Sequence, residues 1–258
     1  MDIVFIYPHI GDGNKRVPNT RRYFPWGAAT VIRCIEREGH RVSVLDIYGN
    51  DLLLSDVEKF LDENRFDLAC ISSFASYNYT QVLRLAGAVK ERYRIPVIAG
   101  GILADLHFDL LLKKNVIDYC VIGEGERTIV DLLRNFGSPE KVNGISYRKN
   151  GDVRISPANE FVMNLDELPF PDFDLWNMDG DLRGNLWADD ATTKNEDYDG
   201  HLPSYEDLHP NTSLFFGRGC PFRCRFRSRS YQNVRYKSVD RRDSALATEI
   251  KGEGGSFL

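Results

Sequence analysis

From Ile3 to Phe136, short apolar runs alternate five times with longer amphipathic stretches, and this alternation limits the fold more than any other feature of the chain. A run such as Ile3–Tyr7, too short for a helix and apolar throughout, reads as a strand buried on both faces. A Gly/Pro/Arg-rich loop follows. A helix is then expected over residues 27–38, with Ala28, Val31, Ile32 and Ile35 along one side and Gly39 as its stop. The next strand is expected over 41–46. Ser55 is read as the cap of a helix reaching Asn64, with Glu58 completing a capping box. Strands over 68–72, 96–99 and 119–122 are separated by helices over 79–94 and 106–115, and Gly123-Glu124-Gly125-Glu126 is followed by a last helix to about Phe136. Strands divided by helices pair in parallel, because each crossover returns the chain to the same starting edge. The expected fold class is therefore α/β: a doubly wound, five-stranded parallel sheet in the order 2-1-3-4-5, with ligands bound at the carboxyl ends of the strands.

Beyond residue 140 the pattern changes. Residues 144–148 and 153–156 alternate as strands around Lys149-Asn150-Gly151-Asp152, and Asn-Gly between two such runs predicts a hairpin. Residues 165–171 (LDELPFP) read as extended, and 214–217 as a short strand leading into a cysteine loop. Ser238 is a candidate cap for a helix through Lys251. Charge divides the chain in the same way. Residues 1–160 hold 21 acidic and 21 basic groups, residues 161–210 hold 13 acidic and 2 basic, and residues 211–258 hold 4 acidic and 10 basic. The expected domains are thus 1–140, the α/β layer; 141–176, hairpin and inter-domain link; 177–210, an acidic connector; and 211–258, the basic block with the cysteine loop.

Several function classes drop out on composition. No apolar run approaches the ~20 residues of a membrane span. The start, Met1-Asp2-Ile3-Val4, lacks the basic and small-residue features of a leader, so the expected compartment is the cytoplasm. Five cysteines without a leader argue against a disulfide framework. Cys34, Cys70 and Cys120 lie in apolar runs and read as buried, inert thiols. The arginines of the basic block surround Cys220 and Cys224, where an anionic cluster or ligand would also favour them, so that block is not read as a nucleic-acid surface.

The candidate site residues fall into two groups. Small or turn-forming residues end each strand of the α/β layer: Pro8 and His9, Ser72 and Ser73, Gly100 and Gly101, and Gly123, Glu124, Gly125 and Glu126. One such turn suits any tight connection; four on one edge suggest a platform where a flat ligand meets the backbone. The spacing after the first strand does not match the dinucleotide fingerprint. His9 could ligate a metal, or be an ordinary loop residue. In the second group, Cys220-Pro221-Phe222-Arg223-Cys224-Arg225-Phe226-Arg227 supplies two of the three thiolates of a C-x3-C-x2-C iron–sulfur loop. Arg227 stands at the third position, and a guanidinium has no lone pair to donate. Zinc would need partners from elsewhere, and no second cysteine pair exists.

Taken together, these motifs resemble the cobalamin-binding class of radical S-adenosylmethionine (SAM) enzymes. The shared features are Gly39, His40 and Val42; Asp67 before the third strand; Ile95-Pro96-Val97 leading to Gly100-Gly101; Asp118-Tyr119; Gly123 to Glu126 with Thr128; residues 144–148; residues 165–171; and Gly219 to Cys224. The resemblance implies a flavodoxin-like (Rossmann-like) domain with cobalamin over the strand ends, held by Pro8, His9, Ser72, Ser73, Gly100, Gly101, Gly123, Glu124, Gly125, Glu126 and Thr128. It implies a 4Fe–4S cluster ligated by Cys220 and Cys224, SAM flanked by Phe226, and methyltransferase- or cyclase-like chemistry, with small-molecule cofactors as partners and the substrate left open.

Two departures qualify that expectation. Arg227 replaces a cluster ligand, and the sequence holds only the start of a radical SAM barrel, so the chain is expected to be truncated and inactive alone. The D-x-H-x-x-G motif of cobalamin mutases is also incomplete: Tyr7 stands at the Asp position, Asp12 at the Gly position, and His9 keeps only the histidine. The alternatives are a stand-alone cobalamin carrier or sensor, and a flavodoxin-like interaction domain without cofactor.

Overall fold

A computed structural model describes residues 1–8, 24–50, 52–73, 78–176, 217–219 and 231–233. The chain divides into two compact units. The described residues of the first are 1–8, 26–50, 52–73, 78–161 and 169–176; those of the second are 24–25, 162–168, 217–219 and 231–233.

In the first unit the elements run β1 (Asp2–Tyr7), α1 (Trp26–Arg37), β2 (Arg41–Asp46), α2 (Leu54–Glu63), β3 (Leu68–Ser72), α3 (Tyr79–Tyr93), β4 (Val97–Gly100), α4 (Ile102–Leu112), β5 (Tyr119–Val121), α5 (Gly125–Arg134), β6 (Ile145–Lys149) and β7 (Asp152–Ile155). The sheet order is β2-β1-β3-β4-β5-β6-β7. The first five strands are parallel in the expected order. The sheet, however, has seven strands rather than five. The hairpin does not stand apart: β6 pairs antiparallel with β5, setting Val121 opposite Ile145, and β7 pairs with β6. Main-chain pairing explains the extension, because β5 would otherwise present an unpaired edge. The hairpin turn is as the sequence requires, with positive φ at both Asn150 (55°) and Gly151 (89°), the left-handed pair of a type I′ turn.

The central strands are buried on both faces, which is why they read as continuous apolar runs. Val4, Ile6, Ala69, Ile71, Val97 and Ala99 join one core with Val57 and Leu61 of α2, Val82, Leu85 and Val89 of α3, and Leu103, Leu111 and Leu112 of α4. The alternate residues Ile3, Phe5, Cys70 and Ile98 are equally buried, on the face covered by α1 and α5. At the amino edge, Asp67 Oδ2 accepts from the Asp2 amide at 2.8 Å. Asp118 Oδ2 accepts from Lys90 Nζ at 2.6 Å and from the Val97 amide at 2.7 Å.

Three local expectations shift. Helix α2 starts at Leu54, and its capping bond is the Leu53 amide donating to the Asp56 carboxylate at 2.9 Å, not a Ser55/Glu58 box. Helix α4 starts at Ile102, directly after the positive-φ turn at Gly101, rather than at Leu106; its leucines lie on several sides, which hides the period, and His107 kinks it. Residues Leu165–Glu167 form a 3-10 turn rather than an extended run, because Asn164 Oδ1 accepts from the Asp166 amide. In the second unit β8 (Gly217–Gly219) pairs antiparallel with β9 (Tyr231–Asn233). His9, Cys220, Cys224, Phe226, Arg227, the connector 177–210 and the helix expected after Ser238 lie outside the described residues.

Cys34, Cys70 and Cys120 are buried thiols in no disulfide, as their sequence context indicates. Burial pushes the thiols of Cys70 and Cys120 from 9.0 up to about 12. Well below pH 9.0 both folded and unfolded states keep these thiols protonated. As pH rises further, only the unfolded chain gains by ionising them, so stability falls towards pH 12. Urea titrations between pH 8 and 11 should show this decline, and it should be shallower in Cys70→Val/Cys120→Val; an unchanged slope would show that other groups dominate.

Candidate functional site

Parallel crossovers place every strand-to-helix connection of β1 to β5 at one end of the sheet. The carboxyl rim is therefore built from Tyr7 and Pro8 after β1, Asp46 at the end of β2, Ser72 and Ser73 after β3, Gly100 and Gly101 after β4, and Gly123 and Glu124 after β5. Helices α1, α3, α4 and α5 all begin at this rim, so their positive ends face the same side.

The β3 and β4 ends are latched together. Ser72 is in register with Gly100. Ser73, fully buried, donates to the Gly100 carbonyl from both its amide (2.8 Å) and its hydroxyl (2.6 Å). Gly101 follows with φ +89°, and a Cβ there would lie 2.3 Å from the Ser73 carbonyl oxygen. The glycine is thus required by the chain itself: it lets the two loops touch and turns β4 directly into α4. Asp105, in the first turn of α4, holds the next loop by accepting from the Gly123 amide at 3.1 Å. A Cβ at Gly123 would meet nothing within 4 Å, so the main chain is bare at this point of the rim.

The sequence-derived residues after β5 divide in two. Gly123 and Glu124 lie on the rim. Gly125 instead lets α5 approach α1, since a Cβ there would sit 3.1 Å from Val31 Cγ2. Glu126 is 3 % exposed, and Thr128 is fully buried. Thr128 Oγ1 donates to the Glu124 carbonyl at 3.1 Å and accepts from Asn159 Nδ2 at 3.2 Å. Beside it Gly144 (φ +74°) leaves no room for a Cβ, which would fall 2.8 Å from Thr128 Oγ1. Thr128 therefore brackets α5, the start of β6 and the segment after β7. Asp46 ends β2, where a nucleotide-binding sheet often carries an acid, but its Oδ1 accepts from the Gly49 amide at 2.6 Å and closes its own turn.

The rim also carries aromatic residues that were not singled out in the sequence. Trp176 meets Tyr7 edge-on with ring centroids 5.5 Å apart. Trp26, the first residue of α1, meets Phe170 at 6.3 Å and Phe173 at 5.7 Å, and these two meet each other at 5.7 Å. The signal was available: Phe170, Phe173 and Trp176 crowd into seven residues that begin within the 165–171 link motif. Among the described residues no three His, Cys, Asp or Glu side chains form a metal-binding group. No helix among them is long and apolar enough to cross a membrane.

Comparison with known proteins agrees with this geometry. Residues 21–133 match the model of the B12 binding domain. An uncharacterised methyltransferase of Pyrococcus horikoshii is 30 % identical over 238 residues, covering 90 % of this chain and 46 % of that protein. The anaerobic magnesium-protoporphyrin IX monomethyl ester cyclase of Synechocystis sp. is 26 % identical over 228 residues, covering 85 % of this chain and 40 % of the cyclase. The chain thus spans less than half the length of these relatives. Among solved structures, the cobalamin-dependent SAM radical enzyme OxsB with aqua-cobalamin and SAM bound shares the fold at a TM-score of 0.67 and 15 % identity, over 94 % of this chain and 31 % of that one. The radical SAM methyltransferase TsrM from Kitasatospora setae, with cobalamin and a 4Fe–4S cluster bound, does so at 0.62 and 18 %, over 96 % and 46 %.

The adjacent glycines separate the chain's own needs from those of a ligand. Gly101→Ala forces a positive-φ alanine onto the Ser73 carbonyl and should cost roughly 1–3 kcal/mol of unfolding free energy. Gly100→Ala, whose Cβ would make only an ordinary 3.9 Å contact with Val121, should leave the unfolding midpoint nearly unchanged. Equal midpoints for the two variants would contradict the latch.

Proposed function

We infer, from the premise that residues 21–133 match the B12 binding domain in a relative of the cobalamin-binding radical SAM proteins, that the carboxyl rim binds cobalamin. The carrying observation is that the matched segment supplies β2 to β5 and the helices α1 to α5, whose connections make up most of the rim. The rim's shape supports the reading. Gly123 presents backbone rather than a side chain, with nothing within 4 Å of where a Cβ would stand among the described residues, so a broad flat ring can come close there. The helix N-termini around it favour the amide oxygens and the phosphate of such a cofactor. Cobalamin, when bound, supplies a cobalt centre able to carry a methyl group or support radical chemistry.

The chain's own residues hold and orient the ring. Pro8, Ser72, Gly100, Gly101, Gly123 and Glu124 form its bed in this proposal, with His9 beside it. Ser73, Gly125, Glu126 and Thr128 act one layer below: Ser73 keeps the β3 and β4 loops joined, and Thr128 keeps α5 against the β6 start. The whole protein is proposed to be a methyltransferase- or cyclase-like radical SAM enzyme acting on a small molecule in the cytoplasm. In that protein Cys220 and Cys224 would ligate the iron–sulfur cluster and Phe226 would flank SAM. The proposed domain division is the α/β layer to residue 140, hairpin and link to 176, acidic connector to 210, and the radical SAM portion beyond. Arg227 removes one thiolate from the expected ligand set, so the chain as written is proposed to hold a cluster poorly and to be inactive by itself.

Two measurements test these statements. After incubation with hydroxocobalamin and gel filtration, the protein peak should carry the corrinoid visible spectrum at close to one equivalent; a colourless peak would refute the reading. Under anaerobic reconstitution Arg227→Cys should raise bound iron and sulfide severalfold over the parent chain. Full cluster occupancy in the parent would show that two thiolates suffice.

A further inference from the structure

Strand β7 ends at the carboxyl rim, because Ile155 is in register with Ser146 at the start of β6, and the neighbouring Ile145 lies opposite Val121 at the end of β5. From there to β1 is five strand spacings, about 24 Å at ~4.8 Å each. Contacts within the first unit are nevertheless made at both ends of this path, by residues 157–159 near β6 and residues 170–176 near β1. The Gly144 amide donates to the Pro157 carbonyl at 2.7 Å. Asn159 reaches Thr128 in α5. Phe170 and Phe173 pack on Trp26 at the first residue of α1, and Trp176 packs on Tyr7 at the last residue of β1. Each partner sits at the carboxyl end of the sheet. The helices touched are α5 and α1, both on one face.

We propose that residues 157–161 and 169–176 form a fixed strap along the α1/α5 side of the rim, with Phe173 and Trp176 as its positioning residues. Among the described residues, the strap walls the rim on its α1/α5 side and leaves the α3/α4 side without such a wall. That the occupant is a corrinoid, flat and ringed with amides, rests on the reading given above. Trp176 is only 5 % exposed, so it acts through the wall's position rather than by offering its own face to the ligand. Rigid aromatic rings with two side-chain torsions suit this task, since a wall set before binding costs the complex little ordering entropy.

The test compares hydroxocobalamin retention by Trp176→Ala, Trp176→Phe and Phe173→Leu with that of a control, Phe66→Leu. Phe66 packs with Phe60 and Tyr93 ahead of β3, at the opposite end of the sheet. Amide hydrogen exchange over 169–176 is measured in parallel. Trp176→Ala and Phe173→Leu should release the strap to exchange and weaken corrinoid binding by about tenfold. Trp176→Phe should restore most of both. Phe66→Leu should lower thermal stability without weakening binding. Should Trp176→Ala not fold, Phe173→Leu carries the same expectation. Undiminished binding in the strap variants, or an equal loss in the control, would overturn the proposal while leaving the cobalamin reading intact. A wild type that takes up no hydroxocobalamin would remove that reading and this proposal with it.

Discussion

Parallel pairing of β1, β3 and β4 is the constraint on which the rest depends. A parallel neighbour can be reached only by a crossover, and each crossover here is a helix that buries one face of the sheet. Ile3, Ile6, Leu68, Ile71, Val97 and Ala99 are almost wholly excluded from water for this reason. The same connectivity decides where chemistry can occur. It sends every outgoing loop to one edge and every returning helix end to the other. The amino edge is then free to be closed by charge pairs such as Asp118 with Lys90, while the carboxyl edge keeps bare backbone and helix N-termini.

The fold was legible because burial on both faces leaves a direct trace, unbroken apolar runs split by amphipathic helices. Strand order followed from the same trace, and the Asn150-Gly151 turn from the φ values that only such residues adopt cheaply. What could not be read was the destination of the hairpin. Alternation in 144–148 and 153–156 specifies two paired strands but not which edge receives them, since that choice lies in main-chain hydrogen bonds common to all residues. The start of α4 was hidden by a helix with leucines on several sides.

The candidate site was legible in outline and mixed in detail. Small residues mark a rim, yet the reason for each differs. Gly101 is demanded by the Ser73 carbonyl, Gly125 eases the close approach of Val31, and Gly123 is favoured by its own φ of +77°, with nothing packed where its Cβ would stand. One pattern of glycines thus serves two close approaches within the protein and one bare surface. Sequence spacing cannot separate these cases, because the deciding neighbour lies on another element. The motif acids make the same point: Asp67 and Asp118 bind main-chain amides at the amino edge, far from any ligand bed.

The aromatic residues of the link complete the logic of the sheet. Five parallel strands with helices on both faces leave the rim equally approachable from either side. Adding β6 and β7 antiparallel brings the chain back out at that same rim, which a parallel continuation ending in a helix would not do. Among the described residues, the segment that follows lies against α5 and α1 through Thr128 and Trp26, and against the end of β1 through Tyr7. Symmetry between the two sides is thereby broken by the hairpin, not by the rim glycines. An edge-protecting device and a site-shaping device are in this sense one structure: the strand that covers β5 also determines which side of the rim the chain will wall.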